Sequence, residues 1–335
     1  MRTRRNTRPA CLADRRRFLA ALAGALLAWP LAANAQAHLP RIGILLNGRN
    51  LPPAKVQIVG ELARLGYVEG RNVTYVVKAA EGDVKRLPPL ARDLVAAKPD
   101  VIVGAASPAA VALLGATHDI PIVMTVVGDP IALGLTDSIS HPTHNVTGFT
   151  ISSLSLAAKR LELLHDIVPS LRKVAYLWVP ENPLGALFES RVRQAADVLG
   201  IKLVSVPLTS DADIATAFAR AEREHVGAVL VEADPLTLRF SGTISDHCLI
   251  SNLPCMHSWP IEVRSGALIS YGPAEVEHNS RAAIYVERIL KGAKIADLPF
   301  QEPTEIKLVI NLRTAHSLGI VFPATVLTRA DEVIE

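Results

Sequence analysis

The stretch "KPDVIVGAASPAAVALLGATHDIPIVMTVVGDP", residues 98–130, decides the fold class. Its two β-branched runs, "DVIVGAA" and "IPIVMTVV", each predict a buried strand. Between them, residues 108–119 predict a helix, with Ser107 as N-cap and Pro108 at the first helical position. A strand, a helix and a strand in this order form a right-handed crossover between parallel strands. The sequence therefore predicts an α/β fold with parallel sheets.

The same alternation extends on both sides of this stretch, and it starts again after about residue 150. Before the stretch, we predict strands at 41–46 and 72–80 and helices at 54–67 and 84–99. In the second series, we predict strands at 173–179, 201–208, 227–233, 254–259 and 266–272, with helices at 155–169, 187–200, 213–224 and 240–251. A helix at 274–292 and a strand and helix within 305–320 complete the chain. Two separate series of strands and helices predict two sheets.

The first 35 residues have the composition of a targeting segment. Seven arginines fall within residues 1–17, and an uncharged apolar run follows and ends in Ala-Asn-Ala. A basic head, an apolar middle and a small-residue end are typical of a cleaved signal peptide. Arg15-Arg16-x-Phe-Leu resembles the twin-arginine export signal, with Asp14 where Ser or Thr is usual. We therefore predict a periplasmic protein whose residues 1–35 are removed.

Removal of this segment changes the charge of the protein. The whole chain has a net charge of +3; without residues 1–35, Lys plus Arg falls from 35 to 28 and Asp plus Glu from 32 to 31, a net charge of −3. This charge gives no electrostatic reason to expect nucleic-acid binding. Cys248 and Cys255 remain in the predicted mature chain, and the sequence leaves open whether they pair.

Small polar and aromatic residues follow the predicted strands. Ligands of open parallel sheets bind at the carboxyl ends of the strands, near helix N-termini. The candidate ligand-binding residues are Asn47, Ser107, Gly128, Asp129, Thr150, Asn182, Asp234, Trp259 and Tyr271.

Each of the main candidates also has a structural interpretation. Ser107 caps a helix, whose first N–H groups are also suited to a carboxylate. Asp129 and Asp234 either shape a turn or face a ligand amine. Trp259 packs in the core or forms a stacking wall, and Tyr271 is a hinge residue or a second wall.

The sequence contains no arrangement typical of an enzyme. It has no G-x-G-x-x-G, no Walker loop and no G-x-S-x-G motif, and no nucleophile, base and acid at a suggestive spacing. "HPTH" (141–144) lacks a third metal ligand, and the His and Cys residues at 247–257 are a partly buried structural set. We therefore predict a binding protein with no catalytic residues, cofactor or metal.

Many motifs, in order, resemble one family. They include "LARLGYVEGRNV", "IPIVMTVVGDPIALGL", "NVTGFT", "KRLELLHDIVPSLRKVAYLW", "GALISYGP" and "VERILKGAKIADLPFQEPTEIKLVINLRTAHSLGI". From about Pro40 to Glu335, the chain resembles the ABC transporter substrate-binding proteins that include tryptophan- and tyrosine-binding members. The resemblance implies a type I periplasmic-binding-protein fold, with two Rossmann-like lobes and three hinge crossings. These lobes would comprise residues 36–151 plus 273–303, and 152–272 plus 304–335.

The resemblance also implies a site between the lobes. Ser107 and Asp129 would line the first lobe, Asn182 and Asp234 the second, and Thr150 and Tyr271 the crossings. Two segments depart from the family pattern, because Glu232-Ala233 stands where many relatives have Ser or Thr, and "MHSWPIEVR" (256–264) has no close match. Both border the expected pocket, so the resemblance does not assign the ligand.

These observations predict a monomeric periplasmic protein that binds a small molecule and delivers it to the membrane permease of an ABC importer. The expected ligand is a small organic acid or amino acid with an aromatic or other flat apolar part. A sensor with the same fold and an exported α/β hydrolase or isomerase remain alternatives. A repressor's effector domain would need a DNA-binding head, and residues 1–35 have the features of an export signal instead.

Overall fold

The structure is a computed structural model that describes residues 39–48, 52–151, 153–274 and 277–335. The predicted export segment, residues 1–35, lies outside these residues.

The first sheet has five strands, all parallel. They are β1 (Arg41–Leu46), β2 (Thr74–Ala79), β3 (Val101–Gly104), β4 (Ile122–Val127) and β5 (Val146–Thr150). The helices between them are α1 (Pro52–Arg64), α2 (Leu87–Ala96) and α3 (Ser107–Leu114). The strand order is β2-β1-β3-β4-β5, so the chain changes direction across the sheet between β1 and β3. Ligands of such sheets bind outside the carboxyl ends of the strands at this point.

The second sheet has seven strands. They are β6 (Lys173–Trp178), β7 (Lys202–Pro207), β8 (Ala228–Val231), β9 (Cys255–His257), β10 (Ile269–Pro273), β11 (Ile306–Asn311) and β12 (Glu332–Ile334). The helices of this part of the chain are α4 (Ser153–Ile167), α5 (Gly185–Val198), α6 (Ala212–Arg223), α7 (Pro235–Arg239), α8 (Ser241–Ile250), α9 (Pro260–Arg264), α10 (Glu277–Leu290), α11 (Leu312–Ser317) and α12 (Ala324–Leu327). The strand order is β12-β11-β10-β9-β8-β6-β7. Strands β6 to β10 therefore repeat the order of the first sheet.

Hydrophobic residues of the strands pack on both faces of each sheet. In β1, the buried Ile42 and Ile44 pack with residues of α1 and α10, whereas Leu45 packs with α2 and α3. In β6, Tyr176 packs with α4 and α5, and Leu177 with α6 and α8. Successive side chains of a strand point to opposite faces, so a sheet covered on both sides needs continuous hydrophobic runs. This requirement is why the runs in the sequence identified most of the strands.

Three segments connect the two sheets, and they pass close to one another. The chain leaves the first sheet after β5, returns after β10 to place α10 on the first sheet, and crosses again before β11. The backbone of Gln301, in the third segment, hydrogen-bonds to Gly148 and Thr150 of β5. A Cβ atom at Gly148 would overlap the backbone of β4, and one at Gly272 would overlap the carbonyl oxygen of Ser258. Only glycine fits at these two positions in the connecting strands.

The predicted α/β fold class is confirmed, but one detail of the sheets was wrong. Strand β11 runs antiparallel to β10, whereas parallel sheets were predicted. Strand β10 leaves the second sheet towards the first, and β11 enters from that same side, so β11 must run in the opposite direction. The boundaries of the two lobes stay a prediction.

The start of α3 also differs from the prediction. Ala106, with φ 75° and ψ 153°, is the N-cap residue, and Ser107 and Pro108 are the first two residues of the helix. The hydroxyl of Ser107 does not cap the helix; its Oγ accepts a hydrogen bond from the N–H of Gly128 at 3.1 Å. The end of β4 lies beside this turn and supplies the donor. The helix ends at Leu114, five residues before the predicted end.

Candidate functional site

Each sheet has a point at which the strand order changes direction, between β1 and β3 in the first sheet and between β6 and β8 in the second, and both points face one cavity. In the first sheet, Asn47 follows β1 and Ser107 follows β3; in the second, Asn182 comes shortly after β6 and Asp234 after β8. All four residues line the same cavity of about 410 Å³. This volume falls within the range of about 300–1,000 Å³ that is typical of small-molecule sites. We call this cavity the apolar chamber, because most of its wall is formed by apolar side chains and glycine.

Six of the nine residues predicted from the sequence line the apolar chamber. They are Asn47, Ser107, Gly128, Asn182, Asp234 and Trp259. The topology of parallel sheets brings together residues that are far apart in sequence, which is why the strand ends were informative.

Two hydroxyl groups hold the first-sheet wall in place. Ser107 Oγ accepts a hydrogen bond from the N–H of Gly128, and Thr150 Oγ1 donates one to the carbonyl oxygen of Gly128 at 3.1 Å. These bonds fix the end of β4 against the first turn of α3. The N-terminal end of a helix carries partial positive charge and free N–H groups, so this wall is suited to an anionic or carbonyl oxygen.

Two buried carboxyl groups and one amide form the polar part of the second-sheet wall. Asn182 Nδ2 donates to Asp234 Oδ2 at 2.9 Å and lies 3.3 Å from Glu232 Oε1. The backbone N–H of Val179 donates to Glu232 Oε2, and that of Leu236 donates to Asp234 Oδ1. Both carboxyl groups are buried, at 3% exposure for Glu232 and 6% for Asp234.

Burial raises the pKa values of both acids. It raises the pKa of Asp234 to about 6, against the hydrogen bonds from Leu236 and Asn182, which favour the charged form. Burial and then the neighbouring Asp234 raise the pKa of Glu232 well above its usual range. Asp234, the acid of this pair that lines the chamber, is therefore charged at neutral pH.

Trp259 belongs to a loop that is fixed by a buried ion pair. Glu262 Oε2 accepts hydrogen bonds from the N–H groups of Ser258 and Trp259, at 3.0 and 2.8 Å. Its other oxygen lies 3.2 Å from Nδ1 of the fully buried His257. Burial by itself lowers the pKa of His257, but Cys255 and Glu262 raise it more, to about 10. Burial also raises the pKa of the Cys255 thiol.

The structure places three of the predicted residues outside the lining of the apolar chamber. Asp129 Oδ1 accepts hydrogen bonds from the N–H groups of Ile131 and Ala132, so its carboxylate shapes its own turn. Thr150 is buried and bonds to Gly128, as described above. The carbonyl oxygen of Tyr271 accepts a bond of 2.7 Å from Nε of the buried Arg160. Contact of these residues with a ligand stays a prediction.

Several residues around the chamber were not identified from the sequence. Phe188, Val126, Ile151, Leu238 and Ile261 contribute apolar side chains to its wall. In the sequence they cannot be distinguished from core residues, because hydrophobic patterning does not show which side of a helix or strand end borders an empty volume. The departure from the family pattern at Glu232 was the one available signal for the buried acid pair.

The described part of the chain has few features that suggest other classes of site. No group of three or more His, Cys, Asp or Glu residues within it is arranged to hold a metal ion. Cys248 and Cys255 are buried and free. None of the described helices combines the length and the apolar character needed to cross a membrane.

A family comparison agrees with this geometry. The model of the ABC transporter substrate binding protein family matches residues 50–334. The chain belongs to this family. Its members are substrate-binding proteins rather than enzymes, and they are typically extracytoplasmic and work with a membrane permease.

Individual relatives of this substrate-binding protein cover most of its length. A tyrosine-binding protein of Clostridioides difficile (strain R20291) is 26% identical over 281 residues, which are 83% of this chain and 81% of that protein. A conserved domain protein from Vibrio cholerae has a TM-score of 0.80 and 28% identity, and an ABC domain in complex with L-Trp from Streptococcus pneumoniae has a TM-score of 0.77 and 28% identity. Each of these two alignments covers 88% of this chain and 99% of the other. The fold is that of type I periplasmic binding proteins, which confirms the expected fold.

Proposed function

We propose that this protein is a periplasmic solute-binding protein that delivers a small organic acid or amino acid, with an aromatic or other flat apolar part, to an ABC importer. The observation that supports the proposal is the apolar chamber, a single cavity that is lined by equivalent strand ends of both sheets. A ligand that contacts both walls favours the arrangement in which they are close together, and this difference in contacts is what drives closure.

The chemistry of the walls suggests how such a ligand binds. A carboxylate would accept hydrogen bonds from the first turn of α3, where the helix dipole favours an anion. An amine would lie at Asp234, because a buried carboxylate is stabilised by a paired cation. Trp259 supplies an apolar surface suited to a ring. The similarity to a tyrosine-binding protein and to a protein in complex with L-Trp supports an aromatic amino acid as a ligand class.

Export and partnership with a permease are part of the proposal. Residues 1–35 have the basic head, apolar run and small-residue end of a cleaved signal, and the Arg15-Arg16 pair favours the twin-arginine route. We propose that the mature chain acts as a monomer in the periplasm. Cell fractionation of the Arg15→Lys, Arg16→Lys double variant tests the route, and normal periplasmic yield would indicate general secretion instead.

A ligand screen tests the binding function. Thermal unfolding would be measured with amino acids, aromatic acids, sugars and polyamines, followed by calorimetric titration of each compound that raises the melting temperature. We expect aromatic amino acids or aromatic acids to stabilise the protein. For an amine-bearing ligand, Asp234→Asn should lose about 1.5–3 kcal/mol of binding free energy, as for a hydrogen bond to a charged group.

Asp129→Asn is the matched control for this test. It removes the same charge from a carboxylate that lies outside the chamber lining and bonds to its own turn. Its ligand affinity should stay close to that of the wild type. The proposed ligand class would be contradicted if a sugar or polyamine raised the melting temperature and no carboxylate-bearing compound did.

A further inference from the structure

The cleft continues beyond the apolar chamber. A second cavity of about 360 Å³ adjoins it, and we call it the polar chamber. The two share six lining residues: Asn47, Gly48, Pro108, Asn182, Asp234 and Pro235. Asp234 therefore lies at the junction of two connected volumes, and either volume alone is large enough for a small ligand or a part of one.

The polar chamber contains charged side chains from both sides of the cleft. Lys85 lies in the segment after β2 of the first sheet, and Arg239 ends α7 of the second-sheet part. Within the described ranges, neither cation forms an ion pair. The Arg239 guanidinium lies 4.7 Å from the ring centroid of Phe240 and close to Gly82, so it reaches across the cleft.

The polar chamber is also lined by two carboxylates, those of Asp83 and Glu181. Asp83 accepts a hydrogen bond from the backbone N–H of Lys85 at 3.0 Å, which stabilises the turn before α2. Glu181 is exposed at the chamber wall. The chamber is therefore of mixed charge, with two cations that have no carboxylate partner in the described protein.

One buried oxygen at the junction lacks a hydrogen-bond donor. The side-chain oxygen Oδ1 of Asn47 is buried and has no hydrogen-bond partner among the described residues. Asn47 itself is 7% exposed and lines both chambers. A buried acceptor without a donor is unfavourable, and Asp234 at the same junction carries negative charge. An ammonium group bound at this junction would supply a donor for the Asn47 oxygen and a positive charge for Asp234.

We propose that the preferred ligand extends through both chambers and is a short peptide, in its simplest form a dipeptide with an apolar first residue. The first side chain would occupy the apolar chamber, and the ammonium group would lie between Asn47 and Asp234. The peptide carbonyl oxygen would lie at the first turn of α3, where a free amino acid would place its carboxylate. The C-terminal carboxylate would lie beside Lys85 and Arg239. The inference rests on the proposed function, because it extends the same site. With a free amino acid bound, the two cations of the polar chamber would be solvated by water. With a peptide bound, they would form charge-assisted hydrogen bonds with its C-terminal carboxylate.

The test compares ligands that differ only in the tail. Calorimetric titration of the mature protein would use L-tryptophan, L-phenylalanine, the dipeptides Trp-Ala and Phe-Ala, and the same dipeptides with a C-terminal amide. We expect the free-acid dipeptides to bind at least tenfold more tightly than both the amides and the free amino acids. The amide removes the charge that Lys85 and Arg239 would pair and leaves the rest of the ligand unchanged.

Protein variants locate the effect. Arg239→Ala should weaken binding of the free-acid dipeptides about tenfold, reduce the difference between acid and amide, and leave the affinity for L-tryptophan unchanged. Arg220→Ala, an exposed arginine on α6 that lines neither chamber, is the matched control and should bind every ligand as the wild type does. Lys85→Gln, which keeps most of the side chain, gives a second measurement if Arg239→Ala does not fold.

The outcomes separate this inference from the proposed function. Binding of free aromatic amino acids with no gain from dipeptides, or equal affinity for acid and amide, would overturn the inference and leave the function intact. A protein that binds sugars or polyamines but no amino acid, aromatic acid or peptide would overturn both.

Discussion

At the scale of single residues, the acid pair of the second-sheet wall (Glu232 and Asp234) determines which ligand groups the site favours. Asn182 donates to both Asp234 and Glu232, and no cationic side chain pairs with either carboxylate in the described protein. Two buried acids that share one donor cannot both ionise without cost. The charge on Asp234 is buried at the edge of the apolar chamber. This arrangement disfavours the empty site at neutral pH and favours a cationic ligand group.

The acid pair predicts how the stability of the ligand-free protein depends on pH. An unfolded aspartate releases its proton near pH 4, about the usual value, whereas Asp234 in the folded protein has a pKa of about 6. Between these values the folded state holds the extra proton, so the free energy of unfolding falls as the pH rises through 6. The loss should be about 2–3 kcal/mol, and Glu232 adds a loss in the same direction at higher pH. Urea unfolding from pH 4 to 8 measures it.

Variants identify which carboxyl group causes this fall. Asp234→Asn should flatten the profile around pH 6, because it removes the titrating group and keeps the shape. Asp129→Asn, outside the acid pair, should keep the wild-type slope. An unchanged slope in Asp234→Asn would show that Asp234 does not cause the fall.

The sequence identified residue types near the site better than their contacts. Asn182 and Asp234 were predicted from their places after strands, and both lie on the chamber wall. The bond from Gly128 to Ser107 could not be predicted, because it depends on how closely the end of β4 approaches the turn before α3. The ion pair of His257 and Glu262 was also unforeseen, since two residues five positions apart give no signal without the turn between them.

At the scale of elements, the turn between β3 and α3 is strained. Ala106 has φ 75° and ψ 153°, a backbone region used almost exclusively by glycine. A non-glycine residue in this conformation destabilises the folded state by about 1–3 kcal/mol. Glycine relieves this strain, but its greater freedom in the unfolded chain costs about 0.5–1 kcal/mol. Ala106→Gly should therefore stabilise the protein by about 1 kcal/mol, measured as a higher urea midpoint. Ala105→Gly, the neighbouring control at a residue without a positive φ, should destabilise it. A destabilised Ala106→Gly would show that the turn is not strained.

Whether the sequence predicted an element depended on its length. Most strands covered on both faces were visible as hydrophobic runs, and the two-series pattern gave two sheets. Strand β5 (Val146–Thr150), which is also buried, was not predicted. The five-residue helices α7 and α9 were missed, because they are too short for a hydrophobic period to appear. The direction of β11 was missed for another reason: it depends on the side from which the chain enters the sheet.

At the scale of the whole molecule, the connections between the sheets are tied to the second sheet. Arg160 lies on α4, which follows the first connection, and its Nε donates to the carbonyl oxygen of Tyr271 on β10, which leads to the second. Arg160 is buried, at 3% exposure, so this bond is protected from water. We infer that the second sheet moves as one body with the start of two of its connections. Opening and closing would then occur between these points and the first sheet.

Closure around a ligand is the last prediction. The walls of the apolar chamber come from both sheets, so a ligand that contacts both stabilises the arrangement in which they are close. The radius of gyration in small-angle scattering should fall when the ligand saturates the protein. The free energy of unfolding should rise by about 2.7 kcal/mol at a ligand concentration a hundredfold above the dissociation constant. A sugar that fails to stabilise the protein is the control and should leave the radius unchanged. A saturating ligand that stabilises the protein without compaction would show that binding does not close the cleft, and the chamber would then act as a preformed pocket.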